Sequence, residues 1–442
     1  MSNCELKPAR VFEQFAKINE IPRPSKHEER MIEYLQEFGK SHGLETETDE
    51  TGNVVIRKPA TKGHENAPTL ILQSHMDMVC DKLVDVDFNF HTDAIQTYVD
   101  GEWLNAKGTT LGADDGIGCA IELAILDSDD IEHGPLECVF TRDEETSLTG
   151  AMGMKAGFMK GDMLINLDSE DEGQIFISCA GGKTTSARFT FEREAAPEGM
   201  FFLTASVKGL KGGHSGDDIN KKRANSIKLL SRFIYLMSEK GKVLLGNLNA
   251  GGLHNAIPRD GEMIIAVPAA EKENVRAAFN VFASEVEEEY HVTEPNIKMY
   301  MESAEAGKVI CEEDSRKIIL ALQGVDNGVL SMCQDKAIEW LVETSSNLAS
   351  VKTQEDGSIL VTTSQRSNVM SALDNMCNTV RAVFQLAGAE VDTGEGYPAW
   401  KMNPDSKLTK MVVDSYKELF GKEPQVLGIH AGLECGLFAE RY

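Results

Sequence analysis

The sequence has far fewer basic than acidic residues, and so lacks the positive charge that a polyanionic partner requires. Its 44 lysines and arginines face 71 aspartates and glutamates, and the formal net charge is −27. Such a chain offers no basic face for nucleic-acid phosphates or for an anionic membrane surface. We therefore expect neither nucleic acid nor a membrane as a partner. Acidity of this size otherwise indicates only a soluble, self-repelling protein.

Several other signals are missing. Residues 1–18 carry charges throughout and lack the apolar core of a signal peptide, and no segment has the length and apolar character to span a bilayer. The nine cysteines are odd in number and include no C-x-x-C pair, which fits reduced thiols better than disulfides. No G-x-S-x-G motif occurs, and no cysteine has the histidine partner of a thiol nucleophile. We expect a cytoplasmic protein that is not a thiol protease.

The chain is long and apolar enough for two domains, with 442 residues of which 41% are hydrophobic. Its first region alternates helical and strand patterns. Residues 28–38 and 117–126 have helical spacing, and Asp115 stands where the second helix would have its N-cap. Short apolar runs at 70–72, 136–140 and 163–167 indicate strands. This alternation predicts an α/β domain with a mostly parallel sheet.

The character changes near Gly181. Alternating runs at 186–191, 201–207, 261–267 and 358–363 predict strands, and residues 224–237 and 272–288 predict amphipathic helices. After Gly394 the chain returns to a helix, 406–420, and a strand, 425–429. We predict a catalytic domain formed by residues 1–181 and 391–442, with an α+β domain inserted at 182–390.

Histidine or acidic residues follow each predicted strand of the first region. In open α/β sheets, ligands bind beyond the carboxyl ends of the strands. Any one of these motifs alone would fit a turn, a helix cap or a solvated acidic loop, but their recurrence predicts a shared rim. The ligand candidates are His75, Asp114, Glu145 and Asp168.

The spacing within these motifs suggests how the work is divided. On an extended segment His75 and Asp77 point to the same side, so that Asp77 can orient the imidazole of a metal-bound His75. Of the adjacent acids Glu144 and Glu145, one can bind metal while the other faces the attacking water. A carboxylate-rich N/O site suits zinc, manganese or cobalt. Two such ions about 3.5–4 Å apart can polarise a carbonyl and activate a shared water.

The motifs SHMDMV, LGADDGIG, TRDEET and INLDSEDEG, in this order, resemble those of the M20 metallopeptidases. KGGHSGDDI, HNAIPR, GYPAWKMNPDS and HAGLECG resemble the aminoacyl-histidine dipeptidases of that family. The resemblance implies a zinc-aminopeptidase-like catalytic domain with an inserted lid that also forms a homodimer. It further implies two divalent ions, most simply zinc, with Asp114 bridging them. His75 would ligate one ion and Asp77 would orient it, Glu145 would bind one ion and Asp168 the other, and Glu144 would be the general base.

In the lid, the resemblance assigns substrate contacts to His214, Asn255, Arg259 and Arg366. His214 would stabilise an oxyanion, and a guanidinium suits the C-terminal carboxylate of a dipeptide. Without the resemblance, His214 would be an ordinary glycine-loop residue and the arginines surface ion pairs.

One motif of the family is expected but not found. Relatives continue past HAGLECG to a Gly-x-His-Ser-Pro segment whose histidine is the last metal ligand, whereas this sequence stops at Tyr442. One ion should then lack a ligand. A truncated chain, a degenerate copy and a recruited ligand would each explain this, and His430 is a poor substitute because HAGLE is a separate motif.

The sequence therefore predicts a dinuclear metallodipeptidase that cleaves Xaa-His dipeptides such as β-alanyl-histidine. Two alternatives stay open. The first is an N-acyl amino acid deacylase on the same scaffold, and the second is an inactive homologue that acts only as a binding protein.

Overall fold

The computed structural model describes residues 6–334, 336 and 338–442. The chain forms two compact units. The first unit comprises Met1–Ile175, Pro404–Val426 and Leu437–Tyr442, and the second comprises Phe176–Asn403 and Leu427–Gly436. The sequence predicts domain boundaries at 181/182 and 390/391, and these boundaries remain predictions. Within the described ranges, no helix has the length and apolar character needed to cross a membrane.

The helices of the described residues are, in chain order, α1 (Ala9–Asn19), α2 (Glu29–Ser41), α3 (Ala113–Leu126), α4 (Glu144–Ser147), α5 (Thr149–Gly153), α6 (Ser226–Ser238), α7 (Lys272–Tyr290), α8 (Glu312–Gly324), α9 (Met370–Leu386), α10 (Lys407–Phe420) and α11 (Glu434–Arg441). A 3₁₀ turn at Ala269–Glu271 precedes α7.

The strands are β1 (Glu45–Thr48), β2 (Val54–Lys58), β3 (Leu70–His75), β4 (Thr97–Asp100), β5 (Trp103–Ala106), β6 (Leu136–Thr141), β7 (Met163–Asn166), β8 (Gln174–Cys179), β9 (Gly181–Phe189), β10 (Arg193–Ala195), β11 (Met200–Lys208), β12 (Leu244–Gly251), β13 (Gly261–Pro268), β14 (Lys298–Ser303), β15 (Lys308–Ile310), β16 (Gly328–Met332), β17 (Val342–Thr353), β18 (Ile359–Ser367), β19 (Glu390–Thr393) and β20 (Gln425–Ile429).

The main sheet of the first unit has the strand order β1-β2-β6-β3-β7. Strand β3 runs parallel to both β6 and β7, whereas β1–β2 and β2–β6 are antiparallel pairs. The predicted α/β fold is confirmed, with a mixed sheet whose parallel part is β6-β3-β7. Because these three strands run the same way, their carboxyl ends meet at one edge of the sheet, and the segments that follow them share that edge.

Burial explains why these segments become strands and helices. Every residue of β6 is buried, as is every residue of β3 after Leu70. Strands covered on both faces are read as continuous apolar runs. Leu123 of α3 and Phe140 of β6 are fully buried in one core with Phe15 and Leu35 from the first two helices. Burying each such side chain contributes about 1.5–3 kcal/mol, which fixes the edge on which the site is built.

The second unit is built on an antiparallel sheet with the order β14-β11-β13-β12-β17-β18-β9-β19, and β16 also pairs with β17. Helix α6 packs in the core of this unit, where the ring of Phe233 meets that of Phe279 edge-on at 4.9 Å. The prediction of a separate α+β domain is confirmed. A second, smaller pair is formed by β8 and β20.

Candidate functional site

The edge formed by β3, β6 and β7 gathers a histidine and two carboxylates. His75 is the last residue of β3 and is 1% exposed. Its Nε2 lies 2.9 Å from Asp114 Oδ1 and 3.7 Å from Asp168 Oδ1. Each of these residues offers a ligand atom, and the three atoms lie within 4.8 Å of one another. Three residues far apart in the chain thus form a group that could hold a metal ion.

Asp77 links this group to the loop after β6. Its Oδ1 lies 3.3 Å from His75 Nδ1 and accepts a hydrogen bond from the Glu144 backbone N–H at 3.0 Å. Its Oδ2 accepts hydrogen bonds from Ser25 Oγ at 2.7 Å and from the Glu145 N–H at 3.3 Å. Burial opposes the charge on Asp77, but these bonds outweigh it and hold the pKa of Asp77 below its usual value. The Asp77 carboxylate thus lies beside the imidazole with its charged form favoured.

The Asp114 loop is set by a glycine and an aspartate. Gly112 has φ +67°, a conformation that favours glycine, and leads the chain into α3. Asp114 and Asp115 are not helical, and Asp115 Oδ1 accepts a hydrogen bond from the Gly118 N–H at 3.1 Å, as an N-cap does. The predicted capping role of Asp115 is thus confirmed. Its Oδ2 also accepts a bond from the His75 N–H at 3.3 Å, which joins this loop to β3.

Glu144 and Glu145 begin the short helix α4 directly after β6. Glu145 Oε1 is buried without a hydrogen-bond partner. Burial, together with the nearby charge of Asp114, raises the pKa of Glu145 to about 7. Glu145 lies outside the three-residue group that could share one ion, while its electrostatic coupling to Asp114 places it near that group.

The electrostatics of the group fit a divalent cation. Burial, with a smaller part from neighbouring carboxylates, raises the pKa of Asp168 well above its usual value. Burial disfavours a charged His75, but hydrogen bonds to Asp114 and Asp77 outweigh it and raise the pKa of His75 well above the usual range. Protons therefore compensate the crowded carboxylates here, as a cation would. Nitrogen and oxygen donors of this kind suit zinc, manganese or cobalt.

In the second unit, His214 and Arg366 lie side by side. Arg366 is 5% exposed, and its guanidinium donates to Tyr397 Oη at 2.7 Å and lies 3.2 Å from His214 Nε2. Arg366 Nε is buried without a partner. After burial itself, the charge of Arg366 lowers the pKa of His254 and of His430, the latter to about 3. A buried guanidinium with an unpartnered nitrogen offers a place for an anion.

The other two predicted lid residues, Asn255 and Arg259, form hydrogen bonds with nearby backbone groups. The Asn255 carbonyl accepts a hydrogen bond from the Ser215 N–H at 2.8 Å, while the Asn255 side chain is exposed. Arg259 donates from Nε to the Leu210 carbonyl at 3.1 Å. His430 is bonded to Ser345 Oγ at 2.8 Å, so its Nε2 is engaged within the second unit.

Three residues of these clusters were not foreseen from the sequence. Arg23 and Ser25 bond to the His75–Asp77 segment, and Tyr397 bonds to Arg366. The available signals were an arginine enclosed by two prolines in IPRPS and a tyrosine within GYPAW.

Comparison with known proteins gives a consistent result. The family model of peptidase family M20/M25/M40 matches residues 71–442. The chain is 39% identical over 439 residues to the cytosol non-specific dipeptidase of Escherichia coli (strain K12), covering 99% of this chain and 90% of that protein. It resembles the crystal structure of aminoacylhistidine dipeptidase from Vibrio alginolyticus with a TM-score of 0.84 and 40% identity, covering 100% of this chain and 89% of that one.

A more distant likeness concerns the fold alone. Aminopeptidase PepT from Bacillus cereus ATCC 10987 is 15% identical with a TM-score of 0.55, covering 98% of this chain and 87% of that one. The expected lack of one metal ligand stays a prediction.

Proposed function

The chain belongs to peptidase family M20/M25/M40, and from this premise we propose that it is a metallodipeptidase with Glu144 as general base. It hydrolyses dipeptides, as do the relatives named cytosol non-specific dipeptidase and aminoacylhistidine dipeptidase. The observation that carries the proposal is the convergence of His75, Asp114 and Asp168 at one sheet edge.

Two divalent ions, most simply zinc, would be held by these residues and Glu145. His75 and Asp168 would bind one ion, Glu145 the other, and Asp114 both. When bound, such ions polarise the peptide carbonyl and lower the pKa of a nearby water. The unpartnered Glu145 Oε1 and the raised pKa of Glu145 support this ligand set.

Glu144 performs the proton transfers in this scheme. Its backbone N–H is held by Asp77, at the start of a helix on the same sheet edge. Glu144 accepts a proton from the attacking water as the oxygen–carbon bond forms. It then delivers that proton to the leaving amine as the carbon–nitrogen bond breaks. A carboxylate positioned for both steps is expected to contribute about 10²–10⁴-fold to the rate.

Arg366 would bind the free C-terminal carboxylate of the dipeptide, His214 would stabilise the oxyanion, and Asn255 and Arg259 would be further substrate contacts. The partnerless Arg366 Nε supports an anionic ligand. We propose β-alanyl-histidine as a substrate, a cytoplasmic location and a homodimer. For the dimer, the exposed Val329, Leu330 and Met332 on β16 supply apolar surface that a second copy would cover.

The test is hydrolysis of β-alanyl-histidine by the purified chain after chelation and after addition of zinc, cobalt or manganese. We expect metal-dependent turnover that Glu144→Gln lowers at least about 100-fold. Glu170→Gln, which changes an exposed acid near the site in sequence, is the matched control and should leave turnover unchanged.

N-acetyl-β-alanyl-histidine separates the rival reading. A dipeptidase should spare this blocked substrate, whereas an N-acyl amino acid deacylase prefers an acylated amino terminus. A folded, metal-loaded chain that turns over only the blocked substrate, or neither, would overturn the proposal.

A further inference from the structure

Arg23 is a buried arginine that contacts two of the loops carrying candidate metal ligands. It is 1% exposed and lies in the loop between α1 and α2. Its guanidinium donates to the carbonyl oxygens of Met76 at 3.2 Å and Asp77 at 2.7 Å. It also donates to the carbonyl oxygen of Gly112. One planar group therefore joins the loop that carries His75 and Asp77 to the loop that carries Asp114.

The glycines of the second loop leave room for this contact. A Cβ atom at Gly112 or at Gly116 would lie 2.5 Å from a terminal nitrogen of Arg23, closer than atoms approach without displacement. At Gly116 the backbone conformation is ordinary for any residue, so close packing explains the glycine: a Cβ atom there would meet Arg23 at 2.5 Å and Phe15 at 3.2 Å. The glycines in LGADDG and Arg23 thus form one unit of packing.

The residues after Arg23 reach a third ligand loop, the one that follows β6. Pro24 bridges to Met78 beside Asp77, and Ser25 donates to Asp77. Arg142, which precedes Glu144 and Glu145, donates to Glu28 Oε2 at 2.7 Å and to the Lys26 carbonyl at 3.0 Å. Residues 23–28 therefore contact all three loops that follow β3, precede α3 and follow β6. This segment lies outside residues 71–442, the part that the family model matches.

We propose that Arg23 is a positioning residue that sets the spacing of the His75 and Asp114 loops, and through it the geometry of the metal ligands. The inference rests on the proposed metal centre. The guanidinium is suited to this task because its donors form a rigid fork that can bond two loops at once. A lysine at the same place keeps the charge but has a single nitrogen, so it cannot hold the loops at a fixed separation.

The experiment measures Co²⁺ affinity and the visible absorption spectrum of the Co²⁺ form for the wild type and for Arg23→Lys. Groups that orient metal ligands typically contribute about 10–100-fold to metal affinity, and we expect Arg23→Lys to lose affinity in that range with a changed spectrum. Gly116→Ala approaches the same contact from the other side and should act in the same direction. The matched control is Arg57→Lys, since Arg57 is a mostly buried arginine of the same unit that bonds Glu137 and the Phe158 carbonyl instead.

Thermal unfolding of each metal-free variant separates positioning from general stability. Weaker Co²⁺ binding and an altered spectrum in Arg23→Lys and Gly116→Ala, but not in Arg57→Lys at comparable stability, would support the proposal. Folded Arg23→Lys and Gly116→Ala proteins that bind Co²⁺ within about two-fold of wild type, with its spectrum, would overturn it. If Arg23→Lys does not fold, Gly116→Ala decides. A wild type that binds Co²⁺ but cleaves no dipeptide would overturn the proposed function and leave this inference standing.

Discussion

Replacing Asp77 with asparagine should weaken metal binding, although the two side chains have almost the same shape. Both carboxylate oxygens of Asp77 accept hydrogen bonds, Oδ1 from the Glu144 N–H and Oδ2 from the Glu145 N–H and Ser25 Oγ. His75 Nδ1 also faces Oδ1 at 3.3 Å. An amide has one acceptor oxygen, so in either orientation its NH₂ group meets a backbone N–H. The substitution therefore always brings two donors together.

The structure allows the size of the effect to be estimated. A buried donor that loses its acceptor costs about 1–3 kcal/mol, and hydrogen bonds to a charged acceptor contribute about 1.5–3 kcal/mol. Loss of the anion also removes the group that orients His75, which typically costs about 10–100-fold in metal affinity or activity. A 100-fold loss of metal affinity corresponds to about 2.7 kcal/mol of binding free energy, which is separate from the unfolding free energy that the lost hydrogen bonds cost. We expect Asp77→Asn to lower zinc affinity by about 10–100-fold.

The assay is competition for zinc against a chromophoric chelator, with urea unfolding of the metal-free protein in parallel. Asp49→Asn is the matched control because Asp49 accepts hydrogen bonds from three backbone N–H groups in the same unit without contacting a ligand loop. Both variants should lose stability, but only Asp77→Asn should lose zinc affinity. Equal zinc affinity in Asp77→Asn and wild type, within about two-fold, would refute the reasoning.

Three further outcomes follow from the same structure. Burial raises the pKa of Glu145 and of Asp115 to about 7, whereas values near 4 are expected in the unfolded chain. Between about pH 4 and 7 the folded protein therefore binds more protons than the unfolded chain, so the chelated protein should lose stability as pH rises through this range. Glu145→Gln should reduce this loss of stability in thermal unfolding scans. Arg366→Lys should raise KM about ten-fold or more for a dipeptide but much less for its C-terminal amide, because a lysine cannot bind a carboxylate in bidentate fashion; an equal effect on both substrates would contradict the assignment. Asn225→Ala should lower the unfolding free energy in urea by about 1–2 kcal/mol, because Asn225 caps α6, and a change below about 0.5 kcal/mol would count against that role.

The strands that carry the site could be predicted because their burial, nearly complete in β3 and β6 and partial in β7, leaves short apolar runs in the sequence. Predicted runs at 70–72, 136–140 and 163–167 correspond to β3, β6 and β7. The direction of their neighbours could not be predicted in the same way. Strand β1, Glu45–Thr48, contains only polar residues and is partly exposed, so its sequence shows no apolar pattern that predicts a strand. Its antiparallel pairing with β2, and that of β2 with β6, turned a mostly parallel expectation into a mixed sheet.

The candidate ligands were accessible to sequence reasoning for a related reason. His75 ends β3 and Asp168 follows β7, and the sheet topology brings the ends of these parallel strands together, while Asp114 stands in a conspicuous acidic motif at the start of α3. The structure places these three within one group. The positions of Asn255 and Arg259 were harder to foresee. Both residue types suit substrate contact, yet the Asn255 carbonyl and Arg259 Nε bond to nearby backbone, a choice that depends on loop geometry alone.

The two clusters set opposite electrostatic demands, and this explains why each depends on residues that motif reasoning did not find. The first unit brings carboxylates close together, and the raised pKa values of Asp168 and Glu145 show that protons or cations would stabilise them. The buried Arg23 holds the loops of this unit by donating to backbone carbonyl oxygens, and such contacts cannot be read from the sequence. The second unit buries Arg366, whose charge adds to burial in lowering the pKa of His430, and Tyr397 accepts a hydrogen bond from that guanidinium. A cation satisfies the first cluster and an anion the second. Metal removal and removal of the substrate carboxylate should therefore impair hydrolysis independently, and a dipeptide amide cleaved as well as its acid would show that the second cluster serves another purpose.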